Sequence, residues 1–187
     1  MLHTFIRIIF LLCHMFVQLW WMITSRGRNI GSFMQTWTHV RSIPIVIFEF
    51  MGFVQIIFLP ILAFSITTKS IPILQITGLI ISLNGLFLAS WAKYVMGKSW
   101  GRPAQHDKQT QSKLITTGPF TFSRNPIYVG LFLLFTGQQI ALASYGIFVA
   151  IAFAYTIYQA VQTEERLLER HFGAPYTEYK KRVPRFL

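Results

Sequence analysis

The apolar run IPILQITGLIISLNGLFLASWAKYV, Ile71–Val95, contains a single charged residue, Lys93. A helix that crosses the hydrocarbon core of a bilayer needs about 20 predominantly apolar residues. The run is long enough, so it is predicted to be a membrane-spanning helix. The composition of the whole chain agrees, because hydrophobic residues make up 53% and charged residues only 12%, whereas typical soluble domains carry about 25% charged residues.

Four other segments meet the same length criterion. They are Phe5–Ile23, Ile43–Ile66, Ile127–Ala143 and Tyr145–Val161, of which the last two form a tight hairpin. The sequence TSRGRN after the first segment lacks a small-residue cleavage pattern, so an uncleaved span is predicted. We expect an all-α, polytopic membrane helix bundle with about five transmembrane helices and a cytoplasmic C-terminal helical segment. Residues 1–187 are expected to form one integral-membrane domain.

Lys and Arg are concentrated in three regions of the chain. All of them except Arg7 and Lys69 lie in residues 24–42, 92–126 and 164–187. With five spans these regions share one side of the membrane, and the positive-inside rule makes that side cytoplasmic. We therefore expect a cell (inner) membrane protein with its N-terminus outside and its C-terminus in the cytoplasm. This placement explains the net charge of +11 without a nucleic-acid partner.

Cysteine and histidine give no sign of a metal centre. The single Cys13 excludes an internal disulfide and a cysteine-based zinc cluster. The five His residues show neither HxxxH nor HxxH spacing. No metal site is expected.

The stretch SRNPIYVG, Ser123–Gly130, places polar residues where the fourth span begins. Asn125 followed by Pro126 is typical of a helix N-cap with proline at the first helical position. Free N–H groups and the helix dipole make such an end a site for anions, and Arg124 adds a fixed positive charge. Tyr128 suits the membrane interface. The same pattern also fits an ordinary helix start at a membrane surface.

A second polar cluster follows the fifth span. Glu164, Glu165 and Glu169 are three of only six acidic residues in the chain. Adjacent helical residues do not share a face, so one of the first two can turn toward the bundle while the other faces water. Gly173 is predicted to end this helix and Pro175 to begin a short one. A solvated helix exit would give the same charge run.

The short last helix is predicted to have one apolar side. Tyr176, Tyr179 and Val183 recur at i, i+3 and i+7, as in a helix that lies on a membrane surface. Together, an anion-binding helix end and nearby carboxylates suit a small zwitterion with a cationic centre. S-adenosylmethionine, which has a carboxylate, an ammonium, a sulfonium and a ribose, is such a molecule.

These residues resemble the integral-membrane methyltransferases related to isoprenylcysteine carboxyl methyltransferase and the phospholipid N-methyltransferases. The family pattern G-P-[YF]-x-[YF]-x-R-[HN]-P-x-Y-x-G reads GPFTFSRNPIYVG at Gly118–Gly130. The pattern E-E-x-x-L-x-x-x-F-G-x-x-Y-x-x-Y reads EERLLERHFGAPYTEY at Glu164–Tyr179, and the closing VPR is Val183–Arg185. The resemblance covers residues 91–187, which would form the cofactor-binding half, while residues 1–90 would supply the N-terminal spans.

The resemblance implies an S-adenosylmethionine-dependent methyltransferase that acts on a lipophilic acceptor entering from the bilayer, among membrane lipids. The implied cofactor-binding residues are Gly118, Pro119, Asn125, Pro126, Tyr128, Glu164 and Glu165. The implied catalytic residues are Arg124 and Glu165, with Arg124 binding the cofactor carboxylate or an acidic substrate. Tyr179 and Arg182 would help to close the pocket.

Several alternatives stay open from the sequence. Asn125 stands where many members have His, so no imidazole is available there. The acceptor would be a prenylated thiol or carboxylate, a phospholipid amine or a small hydrophobic thiol; a neutral acceptor would need a base such as Glu165 or Glu49. A non-enzymatic membrane carrier or assembly protein is another class, with a pathway lined by Glu49, Gln55, Gln75 and Asn84. A nicotinamide-dependent membrane reductase is a third, although no Gly-rich dinucleotide loop is present.

Overall fold

A computed structural model of the chain describes residues 71–99 and 113–187, and positions 5, 6, 8, 9, 12, 13 and 16, which are all helical. From position 71 onward the described residues form α-helices and short 3-10 helices, without a β-strand. The α-helices are α1 (Pro72–Met96), α2 (Pro126–Ala141), α3 (Val149–Phe172) and α4 (Ala174–Arg182), and the 3-10 helices are Gly97–Ser99, Gly118–Thr121 and Tyr145–Phe148. The predicted all-α class is confirmed for this part of the chain.

Three of the predicted spans coincide with these helices. α1 occupies the span predicted at residues 71–95, and α2 and α3 occupy those predicted at 127–143 and 145–161. By length and composition, α1 and the segment Tyr145–Phe172 are able to cross a membrane, whereas α2 is apolar but has only 16 residues. The first two predicted spans lie outside the described residues, apart from the seven N-terminal positions, so the count of five stays a prediction.

α3 continues beyond Val161, where the fifth span was predicted to end. Its last turns are rich in Glu, Arg and Leu, which have high helix propensity, and it runs to Phe172. Gly173 then adopts a φ of +61° and donates its N–H to the carbonyl of Glu169 at 2.9 Å. Pro175 lies in the first turn of α4. The predicted stop and restart of the helix are therefore both confirmed.

α1 and α2 approach each other through a glycine seam formed by Gly78, Gly85, Gly130 and Gly137. A Cβ atom added to Gly85 would lie 2.5 Å from the carbonyl oxygen of Gly130, and one added to Gly137 would lie 2.6 Å from that of Gly78. Small residues at a membrane-type helix interface allow backbones to come this close. Ser82 adds a buried hydrogen bond between the helices, from its hydroxyl to the carbonyl of Leu134 at 2.9 Å.

The glycine seam predicts that a large side chain within it separates α1 from α2. Gly85→Leu should lower the free energy of unfolding by about 1–3 kcal/mol or more, as overpacking does in other cores. Asn84→Leu, on the exposed face of the same helix, is the matched control and should change little. Thermal unfolding of both variants in detergent micelles measures the difference, and equal stability of the two would contradict the close approach.

α3 packs on α2 through aromatic residues that lie in the second and third turns of α2. Phe153 meets Phe135 edge to face with 5.2 Å between the ring centroids, and it stacks with Phe132 at 6.4 Å. Tyr128 and Ile157 belong to the same buried cluster. This aromatic layer fixes the register of α2 against α3, and so determines which residues of α3 lie beside the N-terminus of α2.

α4 folds back onto the bundle with its predicted apolar side buried. Tyr176, Tyr179 and Val183 pack together with Leu168 and Phe172 of α3. The hydroxyl of Tyr179 donates to the carbonyl of Phe120 at 2.6 Å. The last helix thus has the predicted apolar side, but that side packs against α3 and does not lie on a membrane surface.

The outer faces of α1 and α3 expose large apolar side chains. On α1 these are Ile73, Ile76, Ile80, Leu83, Phe87, Trp91 and Tyr94, and on α3 they are Val149, Ile151, Tyr155 and Tyr158. Asn84 also lies on the exposed side of α1 and donates to the carbonyl of Ile80 at 2.8 Å, while Gln75 is buried. These two residues therefore do not line one pathway, and the other two pathway candidates, Glu49 and Gln55, lie outside the described residues.

Candidate functional site

The N-terminus of α2 is tied to α3 and to the chain end by one carboxamide. Asn125 occupies the N-cap position and Pro126 follows it in the first turn, as predicted, but the Asn125 side chain makes no capping hydrogen bond. Its Nδ2 donates instead to Oε1 of Glu165 at 3.1 Å and to the carbonyl of Arg185 at 3.0 Å. Both hydrogens of the amide are therefore used to join three segments that are distant in sequence.

Glu165 lies at the centre of this junction and is only 3% exposed. Its Oε1 is 3.2 Å from Nη2 of Arg124, in addition to the bond from Asn125. Its Oε2 accepts from Nε of Arg185 at 3.0 Å and lies 3.0 Å from Nη2 of the same residue. Each oxygen therefore has two donors, which satisfies a carboxylate that would otherwise be costly to bury.

The residues after α4 form a wall of the site, and we call residues 183–186 the C-terminal strap. The carbonyl of Pro184 accepts the backbone N–H of Arg124 at 3.0 Å. The guanidinium of Arg185 lies 5.5 Å from the ring centroid of Tyr158, within the range of a cation–π contact. Phe186 packs against the aromatic layer that includes Tyr128. The strap thus contacts both the start of α2 and the outer side of α3.

Glu164 has different surroundings from Glu165. It is partly exposed, and its Oε2 accepts a hydrogen bond of 2.7 Å from the hydroxyl of buried Tyr128. Glu165 turns toward the bundle as predicted, whereas Glu164 is half-buried and does not simply face water. Glu165 is enclosed by positive charge, whereas Glu164 reaches the surface beside the start of α2.

Gly118 and Pro119 shape the turn that leads into the site. Gly118 has a φ of +60°, and a Cβ added to it would lie 2.9 Å from a methyl carbon of Val95 in α1. Pro119 is buried, and its carbonyl accepts the N–H of Ser123 at 3.2 Å. This pair therefore packs against the end of α1 and shapes the turn that leads to Arg124.

Two buried tyrosines of α4 lie close to the charged cluster. Burial raises the pKa of Tyr179 to about 12, although the positive charge of Arg124 acts to lower it. Burial, reinforced by the negative charge of Glu165, also raises the pKa of Tyr176. Both phenols are therefore protonated at neutral pH, and Tyr179 is a hydrogen-bond donor to the turn at Phe120. Arg182, the other residue predicted to close the pocket, is exposed.

Three residues of the site were not predicted from the sequence: Arg185, Tyr158 and Ser123. Arg185 was visible as the last residue of the VPR motif, which carried no assigned role. Ser123 is fully buried, and its hydroxyl accepts the N–H of Asn125 at 3.2 Å. Among the described residues no group of three or more His, Cys, Asp or Glu side chains is arranged to hold a metal ion.

The cluster is thus a carboxylate and arginine site at one end of a helical bundle with apolar outer faces. The family model for phospholipid methyltransferases matches residues 73–175, more than half of the chain, and the chain belongs to this family. The resemblance seen in the sequence is therefore confirmed. The matched residues run from α1 to the start of α4, so the C-terminal strap lies beyond them.

Curated relatives carry a more specific name. The chain is 32% identical over 120 residues to protein-S-isoprenylcysteine O-methyltransferase of Homo sapiens, a match that covers 62% of this chain and 42% of the human protein. It is 29% identical over 128 residues to the Saccharomyces cerevisiae protein of the same name, covering 67% of this chain and 52% of that one. The chain spans about half the length of these relatives.

The enclosure of Glu165 generates a prediction on stability. Glu165→Gln leaves two guanidinium groups without their shared anion, and removing one partner of a buried ion pair costs about 3–5 kcal/mol. Glu169→Gln is the matched control, because Glu169 pairs with Lys180 at the surface at 3.0 Å, where such pairs contribute about 0–1 kcal/mol. Thermal unfolding should show a much larger loss for Glu165→Gln. Similar losses in the two variants would show that Glu165 does not hold the cluster together.

Proposed function

We propose that this chain is an integral-membrane methyltransferase that uses S-adenosylmethionine and acts on a lipophilic acceptor at the cytoplasmic face of the membrane. One observation carries the proposal: the RNPIY and EE motifs, about forty residues apart, converge on a single cluster. Asn125 and Arg124 contact Glu165, and Tyr128 contacts Glu164. Membership of the phospholipid methyltransferase family and the name of the relatives, protein-S-isoprenylcysteine O-methyltransferase, support the same reaction class.

The residues of the cluster fit the polar groups of S-adenosylmethionine. Nε of Arg124 is buried and has no acceptor among the described residues. The carboxylate of the cofactor would supply that acceptor. Glu164 is a partly exposed acceptor that suits an ammonium group or ribose hydroxyls. In this assignment Arg124, Tyr128 and Glu164 hold the cofactor directly, while Gly118, Pro119 and Pro126 shape the backbone around it. When bound, the cofactor supplies a methyl group on a positively charged sulfur.

The residues of this chain would act mainly by alignment. Methyl transfer is an in-line displacement, and holding two reactants in the right geometry can contribute about 7–11 kcal/mol in favourable cases. We propose a positioning role for Glu165, because both of its oxygens are occupied by Arg124, Arg185 and Asn125. A carboxylate or thiolate acceptor is already anionic and needs no base. For a neutral amine, Glu164 is the carboxylate at this site that an acceptor would meet first.

We also propose the membrane arrangement that the sequence predicts, with five spans, an outside N-terminus and a cytoplasmic C-terminus in the cell (inner) membrane. The exposed apolar face of α1 suits contact with lipid. The start of α2, the end of α3 and α4 lie together, and they carry Arg124 and the basic residues of the C-terminal region. A cofactor site at that end would face the cytoplasm, where the positive-inside rule places those charges.

The methyl acceptor is proposed as a lipophilic molecule that reaches the site from the bilayer. The relatives are named for an isoprenylcysteine and the family for phospholipids, so a prenylated carboxylate, a phospholipid amine and a hydrophobic thiol are the candidates. They share a long apolar chain and a single nucleophile. Transfer of a radiolabelled methyl group to a farnesylated cysteine, phosphatidylethanolamine or an alkanethiol, each in detergent micelles, would identify the class.

Cofactor binding is the first test of this function. We expect the purified chain to bind S-adenosylhomocysteine, the product form of the cofactor, with micromolar affinity by calorimetry. Glu164→Gln should weaken binding by about tenfold or more, because hydrogen bonds to a charged group contribute about 1.5–3 kcal/mol. Glu178→Gln, an exposed carboxylate of α4 paired with Lys181, is the control and should bind as the wild type does. Absence of binding by a folded wild-type chain would exclude the proposed function.

A further inference from the structure

The two arginines at Glu165 are not bound in the same way. Arg185 approaches Oε2 with both Nε and Nη2, each at 3.0 Å. Arg124 reaches Oε1 with Nη2 alone, at 3.2 Å, and its Nε is buried without an acceptor in the described part of the chain. Arg124 is nevertheless the more enclosed of the two, with a side chain 8% exposed against 32% for Arg185.

The buried Nε of Arg124 carries a free-energy cost, because a buried donor without an acceptor has lost its hydrogen bonds to water. An arginine beside a carboxylate favours a fork in which two N–H groups bind the two oxygens in parallel. Arg124 could reach that state by turning its Nε onto Glu165. Oε2 is already occupied by Arg185, and the second position on Oε1 is occupied by Nδ2 of Asn125. Arg185 therefore competes with Arg124 for the same carboxylate and holds Arg124 at a single contact.

The electrostatic surroundings of Arg124 favour an anionic ligand group. Two guanidinium groups, those of Arg124 and Arg185, share the single carboxylate of Glu165. This cluster lies at the N-terminus of α2, where the helix dipole also favours an anion. Glu164, the other carboxylate nearby, accepts from Tyr128. An anionic group of a ligand would accept from Nε of Arg124, which has no acceptor in the described part of the chain.

We propose that Arg185 is a positioning residue of the cofactor site. By occupying Oε2 of Glu165, it prevents Arg124 from closing onto that carboxylate and leaves Arg124 directed at the carboxylate of the cofactor's amino-acid portion. The inference rests on the proposed function, since it takes the ligand to be S-adenosylmethionine. Arg185 lies in the C-terminal strap, beyond residues 73–175 that the family model matches, so membership of the family does not assign it this role.

Two ligands, one with and one without the amino-acid portion of the cofactor, distinguish a positioning role of Arg185 from a general structural role. S-adenosylhomocysteine has the amino-acid portion, and 5′-methylthioadenosine lacks it. Arg185→Gln should weaken S-adenosylhomocysteine by about tenfold or more and leave methylthioadenosine unchanged. Arg185→Lys, which keeps the charge but cannot make the two-point contact, should show a smaller loss of the same kind. Arg170→Gln, an exposed arginine near the end of α3, is the matched control and should change neither ligand.

A double-mutant cycle tests the route through Arg124. In the Arg124→Gln background, adding Arg185→Gln should not further change the ratio of the two affinities, because the residue that Arg185 positions is already gone. Equal weakening of both ligands by Arg185→Gln and Arg185→Lys, or no weakening of either, would overturn the positioning role while leaving the cofactor site in place. A folded wild type that binds neither ligand would remove the cofactor site, and the proposed function would fall with it.

Discussion

A buried carboxylate has to be neutralised, and the arrangement of this site follows from how Glu165 meets that requirement. Taking a carboxylate out of water costs several kcal/mol unless donors replace the lost hydration. Glu165 in α3 finds those donors in two other segments: Arg124 and Asn125 before α2, and Arg185 in the C-terminal strap. The junction can therefore form only when α2, α3 and the strap are all in place, so the ion cluster couples assembly of the site to the tertiary fold.

The glycine seam supplies the other constraint. In a bilayer the hydrophobic effect does not drive helices together, so association depends on close packing and on hydrogen bonds between helices. Gly85 and Gly130 allow α1 and α2 to touch at the backbone, and Ser82 adds a polar contact. α2 is short, with 16 residues. Its close contact with α1 fixes its position along the axis of α1. The N-terminus of α2, and with it Asn125, is thereby placed level with the acidic part of α3.

Much of the helical framework could be read from the sequence, because it depends on local rules. The apolar run that became α1, the stop at Gly173 and the position of Asn125 before Pro126 all follow from composition, capping and backbone preference. The direction of the Asn125 side chain could not be read in this way. A capping bond is worth about 1 kcal/mol, and the hydrogen bond to a buried carboxylate outweighs it, but only the tertiary structure brings that carboxylate within reach.

The site was also predicted in part. The tyrosine and glutamate motifs were expected to meet, and they do through Tyr128 and Glu164. Arg185 was missed because its contact depends on α4 folding back, which brings a residue twenty positions after Glu165 onto the same carboxylate. The glycines of the seam were missed as well, since small residues are common in any apolar span and reveal their role only when two helices are seen together.

Three segments distant in sequence are proposed to form one ligand site. Hydrogen–deuterium exchange of the purified chain, with and without S-adenosylhomocysteine, tests it directly. We expect slower exchange when the ligand is bound in residues 123–129, in residues 162–166 and in the C-terminal strap together, with no change in the part of α1 that lies in the glycine seam. Slower exchange in only one of these segments, or only elsewhere in the chain, would contradict it.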